Sequence, residues 1–148
     1  MAYQASNPQF AEDIKQSFAS QTIMTLIGAE LSVVEPGIVE ITLPYRNDLA
    51  QQNGFVHAGI VTTIADSAAG YAAYSLMPAG AEVLSVEFKV NLLRPARGKS
   101  FLARAEVIKP GRTLTVARAD VFGIAESGAR ELVATMLATI ICLQKQLT

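Results

Sequence analysis

The segment from Leu49 to Ala81 carries one formal charge, Asp66, within an apolar run rich in alanine. Residues 58–77 place small or apolar side chains on nearly every face of a helix, and a helix that is apolar all round is a buried helix. Gly70 costs up to about 1 kcal/mol in helix propensity, which is tolerable where another backbone packs closely. Pro78 and the glycine that soon follows predict the end of this helix. The rest of the chain must therefore enclose one long hydrophobic helix.

Strand patterns fill most of the remaining sequence. Residues 82–92 alternate apolar and polar side chains, which predicts a half-buried strand. Residues 130–143 fit a helix or a strand by period alone, and their β-branched content after a predicted hairpin favours a strand. The complete set of predicted strands is two arms within 29–45 around a Pro36-Gly37 turn, then 82–92, 99–108, 113–123 and 130–143.

A short amphipathic helix is predicted over residues 8–20. Asn7 fits the N-cap of this helix, and Pro8 fits its first helical position. Apolar side chains then recur every four residues from Phe10 onward, as on the buried face of a helix.

The order of these elements predicts the fold. A chain of 148 residues is long enough for one domain with a full core, and we expect that core at about 27–143. Strands joined by hairpins form antiparallel sheets, which indicates an α+β fold. A hydrophobic helix is buried on every side only if such a sheet wraps around it, and this arrangement is the hotdog fold. A mean hydropathy of +0.32 indicates that some apolar surface is buried against another subunit.

Composition excludes several classes of protein. A formal net charge of −1 argues against general binding of nucleic acid or of membrane surfaces. One histidine and one cysteine are too few for a structural zinc site or an intrachain disulfide, so Cys142 is interpreted as a small buried hydrophobic side chain. Polar residues interrupt the apolar stretch at 54–80, and residues 1–16 lack a signal-peptide pattern. We therefore expect a cytoplasmic protein without metal or cofactor.

A resemblance to a known family becomes specific at HAGIVTTIAD, residues 57–66. The stretch resembles the His-Gly-Gly segment followed by an acidic residue in hotdog acyl-CoA thioesterases, in particular the phenylacetate-pathway (PaaI-like) and 4-hydroxybenzoyl-CoA thioesterase group. The similarity extends over roughly 27–143 and includes ADSAAGYAA and VNLLRPARG. Ala58 stands in place of the first glycine of the motif, whereas Gly59 is kept. The family uses the first position through its backbone N–H group, which alanine retains.

The resemblance implies hydrolysis of an acyl-CoA thioester with an aromatic or medium-chain acyl group. Asp66 stands where the family has its catalytic Asp or Glu. Gln51 matches a position where family members carry Gln or Asn. Ser85 lies near a Ser/Thr position that assists in some members. Because Ser85 is predicted on the polar side of its strand, a structural role for it is equally open.

The residues themselves suggest the same chemistry. A helix that begins near Ala58 presents free backbone N–H groups to a carbonyl oxygen that becomes negative during attack. Gln51 offers a neutral side-chain donor to the same oxygen. Asp66 is the one carboxylate of this region that can attack the carbonyl carbon or deprotonate a water molecule.

The spacing of these groups predicts a shared site. Ala58 and Asp66 are eight residues apart, which is roughly 12 Å along a helix at about 1.5 Å per residue. The two groups of one subunit therefore cannot meet at one carbonyl. Two such helices packed antiparallel about a two-fold axis bring each Asp66 to the N-terminus of the other helix. We expect a homodimer with shared sites, assembled further as a dimer of dimers.

Other roles for these residues stay open. Asp66 could instead cap a neighbouring element or bond a buried tyrosine, Tyr71 or Tyr74, because an uncompensated buried charge is costly. His57 could cap the helix that follows it. It could also take part in the site by positioning Gln51 or the thioester.

A basic segment is the candidate binding site for the phosphates of coenzyme A. Six of the twelve Lys and Arg residues lie within 94–112, where Glu106 is the one acidic residue, so the segment carries a formal charge of +5. Turns and strand ends can reach a ligand at the rim of a domain. Arg94 and the turn from Lys109 through Gly111 to Arg112 are therefore the predicted phosphate contacts.

Two competing functions use the same fold. A non-catalytic acyl-CoA sensor is the main alternative. Such regulators usually carry a DNA-binding segment, for which 148 residues with a pI near 5.8 leave no room. A hotdog hydratase is disfavoured, because its pattern of an Asp and a His five residues apart with a proline between them is absent.

Overall fold

The computed structural model describes residues 2–144. Two helices, Phe10–Ser20 (α1) and Thr22–Ile27 (α2), precede a hairpin of Glu30–Glu35 (β1) and Ile38–Pro44 (β2). A turn of 3-10 helix at Asn47–Leu49 leads to the long helix Ala58–Tyr74 (α3). The remaining strands are Ala81–Leu92 (β3), Ser100–Lys109 (β4), Leu114–Ile124 (β5) and Arg130–Gln144 (β6).

The strands form one antiparallel sheet of six strands in the order β1-β2-β4-β5-β6-β3. The sheet wraps around α3, which packs against β2, β3, β4, β5 and β6. Small side chains make this contact: Ala65, Ala68, Ala69 and Ala72 have no exposed surface, so the helix backbone lies close to the strands. The predicted α+β hotdog architecture, with a strand at residues 130–143, is confirmed.

The C-terminal end of α3 is fixed to the turn between β1 and β2. The helix ends at Tyr74, before the predicted stop at Pro78. The next residue, Ser75, is fully buried, and its Oγ accepts a 2.7 Å hydrogen bond from the N–H of Gly37. Gly37 has a φ of +80°, and a Cβ there would lie 2.6 Å from the ring of Tyr3. The turn therefore requires glycine, and its buried amide requires the hydroxyl of Ser75.

The predicted start of the first helix is wrong by two residues. The helix begins at Phe10, because Pro8 and Gln9 form a turn instead. Asn7 Oδ1 accepts a 3.0 Å hydrogen bond from the N–H of Gln9, which stabilises that turn. Ile14 is fully buried, as the periodicity predicts. The short helix α2 was not predicted, since six residues are too few to show a helical period.

The third strand lies at an edge of the sheet and exposes much of its apolar surface. It pairs with β6 alone. Leu84 is 59% exposed, Val86 54% and Leu92 55%. The prediction of a half-buried strand is therefore wrong for the single subunit. The reason is physical: no described element of the subunit covers the outer edge of this strand.

A β-bulge follows Ser85 and changes which side chains of β3 face α3. Ser85 lies opposite Ile140, whose side chain is buried, and Phe88 lies opposite buried Ala138. Opposed residues of antiparallel strands share a face, and one extra residue reverses the alternation. The predicted alternation, with Leu84 and Phe88 on one face, is therefore wrong, because the bulge between them puts them on opposite faces.

Candidate active site

Asp66 faces β3 from the middle of α3. Its Oδ1 accepts a 2.6 Å hydrogen bond from Oγ of Ser85. The sequence predicted Ser85 on the polar side of its strand, and that prediction is wrong, because the bulge turns this hydroxyl toward the helix. Asp66 is half-buried and forms no ion pair with any residue in the described range 2–144. Its carboxylate borders a cavity, so that the charge avoids the cost of complete desolvation.

The cavity beside Asp66 measures about 820 Å³ and lies between α1, α3 and β3. The helix α3 contributes one face to it at helical spacing, comprising Asp66, Ser67, Gly70, Tyr71 and Tyr74. Burial raises the pKa of the Tyr74 hydroxyl, and the nearby Asp13 carboxylate raises this pKa further. Tyr74 is therefore a neutral phenol at physiological pH.

The tyrosine alternative for Asp66 is not realised. Tyr71 is buried, and its Oη accepts a 2.7 Å hydrogen bond from Nε2 of Gln21. The same oxygen lies 3.0 Å from Oγ of Ser17. Tyr71 thus has partners from the N-terminal helices, whereas Asp66 takes its hydrogen bond from β3.

His57 is the N-cap of α3. Its Nδ1 accepts a 2.8 Å hydrogen bond from the N–H of Gly59. A Cβ at Gly59 would lie 3.0 Å from that nitrogen, so glycine suits this close contact. The N–H of Ala58 makes no hydrogen bond within residues 2–144. Ala58 has a negative φ, as do all described residues other than glycine, so alanine fits the first position of the motif.

Gln51 lies in the loop just before α3 and has a fixed side chain. Its Oε1 accepts hydrogen bonds from the N–H groups of Asn53 and Phe55. The loop is held in turn by Tyr45, whose hydroxyl donates to the carbonyl of Gly54 at 3.1 Å. With its oxygen occupied, Gln51 keeps an NH2 group that donates in none of the described hydrogen bonds. His57 bonds Gly59, and none of the described hydrogen bonds joins it to Gln51.

A second cavity, of about 420 Å³, brings part of the predicted site together. Gln51 and Ala58 line it, along with Arg94 and apolar side chains from the end of β3. Asp66 and Ser85 do not line this cavity but belong to the larger one. Within one subunit, the candidate donors and the candidate carboxylate therefore lie in separate cavities.

The predicted phosphate contacts do not form one cluster in a single subunit. Arg94 lies just after β3, near the N-terminus of α3, and forms an ion pair with Glu131 at 3.0 Å. The turn that ends with Arg112 follows β4 at the opposite end of the sheet. A Cβ at Gly111 would lie 2.0 Å from the carbonyl oxygen of Leu114, so this turn requires glycine. Arg112 is exposed at the tip.

Sequence reasoning missed two features beside these cavities. The guanidinium of Arg97 lies 4.7 Å from the centroid of the Phe55 ring, at the rim near Gln51. The hydrogen-bond cluster of Gln21 and Tyr71 lies beside Asp66. Neither pair has a local sequence signal, because its members are far apart along the chain.

Two further observations concern the described residues 2–144. They contain no group of three or more His, Cys, Asp or Glu side chains that could hold a metal ion. None of their helices is long and apolar enough to cross a membrane.

Comparison with known proteins gives the family. Residues 53–124 match the family model described as Thioesterase superfamily. A thioesterase family protein from Silicibacter pomeroyi has a similar structure, with 52% identity, a TM-score of 0.89, and coverage of 91% of this chain and 98% of that one. A Halobacterium salinarum protein named "Putative esterase" is 32% identical over 114 residues, which are 74% of this chain and 75% of that protein.

A more distant structure supports the fold alone. The Escherichia coli PaaI protein, from the phenylacetic acid degradation operon, is 16% identical, with a TM-score of 0.81 and coverage of 95% of this chain and 97% of that one. The sheet wrapped around α3, the match to the family model and the identity to the two nearer relatives agree. The chain therefore belongs to the thioesterase superfamily and has its hotdog fold.

Proposed function

We propose that the protein hydrolyses an acyl-CoA thioester, releasing the free acid and coenzyme A. The observation that carries this proposal is the carboxylate of Asp66, held by Ser85 at the border of a cavity of about 820 Å³. A carboxylate without a cationic partner, with one oxygen left for chemistry, suits a nucleophile or a general base. An aromatic or medium-chain acyl group fits a cavity of this size.

The reaction needs a donor for the carbonyl oxygen and a carboxylate for the attack. The N–H of Ala58 and the NH2 of Gln51 line one cavity and supply the donors. Asp66 either attacks the carbonyl carbon, giving an anhydride that water opens, or takes a proton from an attacking water molecule. In both routes the C–S bond breaks, the thiolate of coenzyme A leaves, and one water molecule is consumed. His57 acts through the helix N-terminus that it caps.

The site is shared between two subunits. Asp66 and Ala58 of one α3 lie roughly 12 Å apart at about 1.5 Å per residue. The exposed apolar edge of β3 supports pairing with the β3 of a second subunit, because an unpaired long edge strand is a template for another strand. Antiparallel pairing about a two-fold axis lays the two α3 helices side by side in opposite directions. Each carboxylate then approaches the N-terminus of the other helix.

A further apolar patch supports a dimer of dimers. Leu84, Ile141 and Leu114 lie directly opposite one another on β3, β6 and β5, on the sheet face away from α3. Leu84 and Leu114 are 59% and 48% exposed. Burying such a row against its symmetry copy stabilises association.

The same two-fold axis brings the predicted phosphate contacts of two subunits to one end of the dimer. Pairing the two β3 strands antiparallel reverses the ends of the second sheet. The Arg112 turn of the second subunit then lies at the same end as Arg94 of the first. Coenzyme A reaching into a shared site passes between these two basic groups.

Release of free thiol from a panel of CoA thioesters tests the proposal. Wild-type protein is expected to hydrolyse at least one aromatic or medium-chain thioester, and Asp66→Asn is expected to keep less than about a tenth of that rate, a barrier change of roughly 1.4 kcal/mol. Asp120→Asn is the matched control, because Asp120 also accepts a 2.6 Å hydrogen bond, from Thr135, but on the other face of the sheet. Binding of acyl-CoA without turnover would instead indicate the sensor.

A further inference from the structure

The large cavity beside Asp66 has a polar wall that the proposed hydrolysis does not use. Ser17 of α1, Gln21 at the junction of α1 and α2, and Tyr71 of α3 form this wall through their hydrogen bonds. Ser17 and Gln21 lie outside residues 53–124, which match the family model. The wall therefore lies partly outside the segment that matches the family model.

The cluster has one hydroxyl proton left over. Tyr71 Oη accepts from Gln21 Nε2 at 2.7 Å, so this contact uses no hydroxyl proton. Tyr71 and Ser17 carry one hydroxyl proton each, and the 3.0 Å contact between their oxygens uses one of the two. None of the described hydrogen bonds takes the other proton. A ligand in the cavity with an acceptor atom would take it.

The position of the Tyr71 hydroxyl is well fixed. Its ring is 5% exposed and lies against the ring of Phe18, with the centroids 6.2 Å apart. The hydrogen bonds to Ser17 and Gln21 hold the oxygen end. A pair of hydroxyls held in this way discriminates between ligands better than mobile groups, because less ordering is needed on binding.

The charge of the cavity restricts the ligand further. Three acidic residues line it, Asp13, Asp66 and Glu82, and no lysine or arginine among the described residues does. An acyl group that ends in a carboxylate would meet like charges in a partly desolvated space. The acceptor that fits is therefore a neutral oxygen.

The distance along α3 gives the reach. Tyr71 is five positions after Asp66, so the two residues are offset by roughly 7.5 Å along the helix axis at about 1.5 Å per residue. An extended chain advances about 1.2 Å per bond, so that at least about six atoms are needed to cover this offset. Gly70 lies between the two residues on the same face, and a Cβ there would stand 3.8 Å from Cγ2 of Val83. Glycine therefore keeps the passage between α3 and β3 open.

We infer that the Ser17–Gln21–Tyr71 cluster determines acyl specificity by binding a neutral acceptor oxygen at the far end of the acyl group. This inference rests on the proposed function, since it takes Asp66 as the point where the thioester carbonyl lies. The selected substrates are acyl-CoA thioesters whose chain carries a hydroxyl or carbonyl oxygen at least about six atoms beyond the thioester.

Three CoA thioesters of equal chain length test the inference. They are octanoyl-CoA, 8-hydroxyoctanoyl-CoA and the eight-carbon thioester that ends in a carboxylate. Wild-type protein is expected to show kcat/KM at least about fivefold higher for the hydroxyl than for the methyl end, as for one net hydrogen bond. The carboxylate end is expected to be the poorest substrate. Equal or better hydrolysis of octanoyl-CoA by wild-type protein would overturn the inference and leave the proposed hydrolysis intact.

Variants assign the preference to the cluster. Tyr71→Phe keeps the ring packing against Phe18 and is expected to bring the ratio of kcat/KM for the hydroxyl and methyl substrates near one. Gln21→Met, a second variant that leaves Tyr71 in place, is expected to lower the ratio in part. Tyr74→Phe is the matched control, with the same change in the same cavity but outside the cluster, and should keep the ratio. A preference that survives Tyr71→Phe contradicts the assignment.

Failure of the proposed function has a different signature. If no thioester is hydrolysed, neither these three nor the aromatic and medium-chain panel, the proposed activity is rejected. Calorimetric binding of the same three thioesters to wild-type protein then decides the inference. Tighter binding of the hydroxyl end supports it, and equal affinity for the methyl end rejects it.

Discussion

Ser85 Oγ donates a 2.6 Å hydrogen bond to Asp66 Oδ1, across the gap between the edge strand and the central helix. This bond occupies one carboxylate oxygen, and no residue in the described part of the chain donates to the other one. A carboxylate fixed through one oxygen and open at the second is oriented for reaction at the open one. Because the bulge after Ser85 makes the contact possible, the local irregularity of β3 bears directly on the candidate chemistry.

Ser85→Ala is expected to lower kcat about tenfold with little change in KM. A hydrogen bond to a charged group contributes roughly 1.5–3 kcal/mol, and its loss lets the carboxylate turn away from the reacting carbon. Ser85→Thr keeps the hydroxyl and should restore most of the rate. Thr135→Ala removes the corresponding donor to Asp120 on the other sheet face and serves as the control. Full kcat in Ser85→Ala would show that the hydroxyl is not used.

Complementation between inactive mutants tests the shared site. Asp66→Ala and Gln51→Ala homodimers are each expected to be nearly inactive, since every site lacks one component. A mixed dimer, isolated by two different tags, would hold one doubly altered site and one intact site. It should therefore recover about half of the wild-type activity by symmetry. A site built within one subunit would leave both sites damaged, and a folded but inactive mixed dimer would reject the antiparallel arrangement of α3.

Phe88→Glu is expected to convert the dimer to monomers and to abolish activity. Phe88 is 41% exposed on β3, and a charge there would have to be desolvated when two edge strands pair. Sedimentation velocity measures the oligomeric state. Leu26→Glu is the matched control, because Leu26 is 68% exposed on α2, away from that edge. If both variants sediment like wild type, β3 is not the interface.

Arg112→Ala is expected to raise KM for a CoA thioester up to about fivefold, the range of an exposed ion pair, while kcat changes little. A pantetheine thioester, which lacks the nucleotide phosphates, should show almost no change. Arg118→Ala is the control, since Arg118 already pairs with Asp120 at 3.0 Å. An equal rise in KM for both substrates would show that the CoA phosphates do not bind at this turn.

Ser75→Ala is expected to lower the free energy of unfolding by about 1–3 kcal/mol, because the buried N–H of Gly37 loses its acceptor. Urea unfolding at fixed protein concentration measures the change. Ser32→Ala removes an exposed hydroxyl that bonds the carbonyl of Glu40 in the same hairpin, and it should cost far less. Similar losses in both variants would contradict the role given to Ser75.

The central helix and the succession of strands along the chain were predictable because both follow from patterns many residues long. A run without charge except Asp66, and period-two segments on either side, leave few arrangements that bury the helix. The bulge after Ser85 gave no such signal, since Val86 is itself a good strand residue. The short helix α2 showed no helical periodicity either, because its six residues complete fewer than two turns.

The candidate active site could be located from the sequence where its residues lie in one segment. Gln51, His57 and Asp66 lie within sixteen residues and stand out from their surroundings. Contacts between distant segments were not predictable, as for Gln21 with Tyr71, fifty residues apart. The basic segment did not show how its residues are placed in the fold. Arg94 and Arg112 are close in sequence, but a ten-residue strand between them carries them to opposite ends of the sheet.

The extra residue after Ser85 shifts the phase of one strand halfway along its length. In a strand with a strict period of two, all odd-numbered side chains lie on one face of the sheet. The face used by the first half therefore fixes the face used by the second half. Here the first half directs Ser85 at the carboxylate and the second half directs Phe88 to the same side. In a strand of the same length without the bulge, these two side chains are three positions apart and would lie on opposite sides. Either the hydroxyl or the aromatic ring would then point away from α3, so the extra residue lets one strand serve both reaction and assembly.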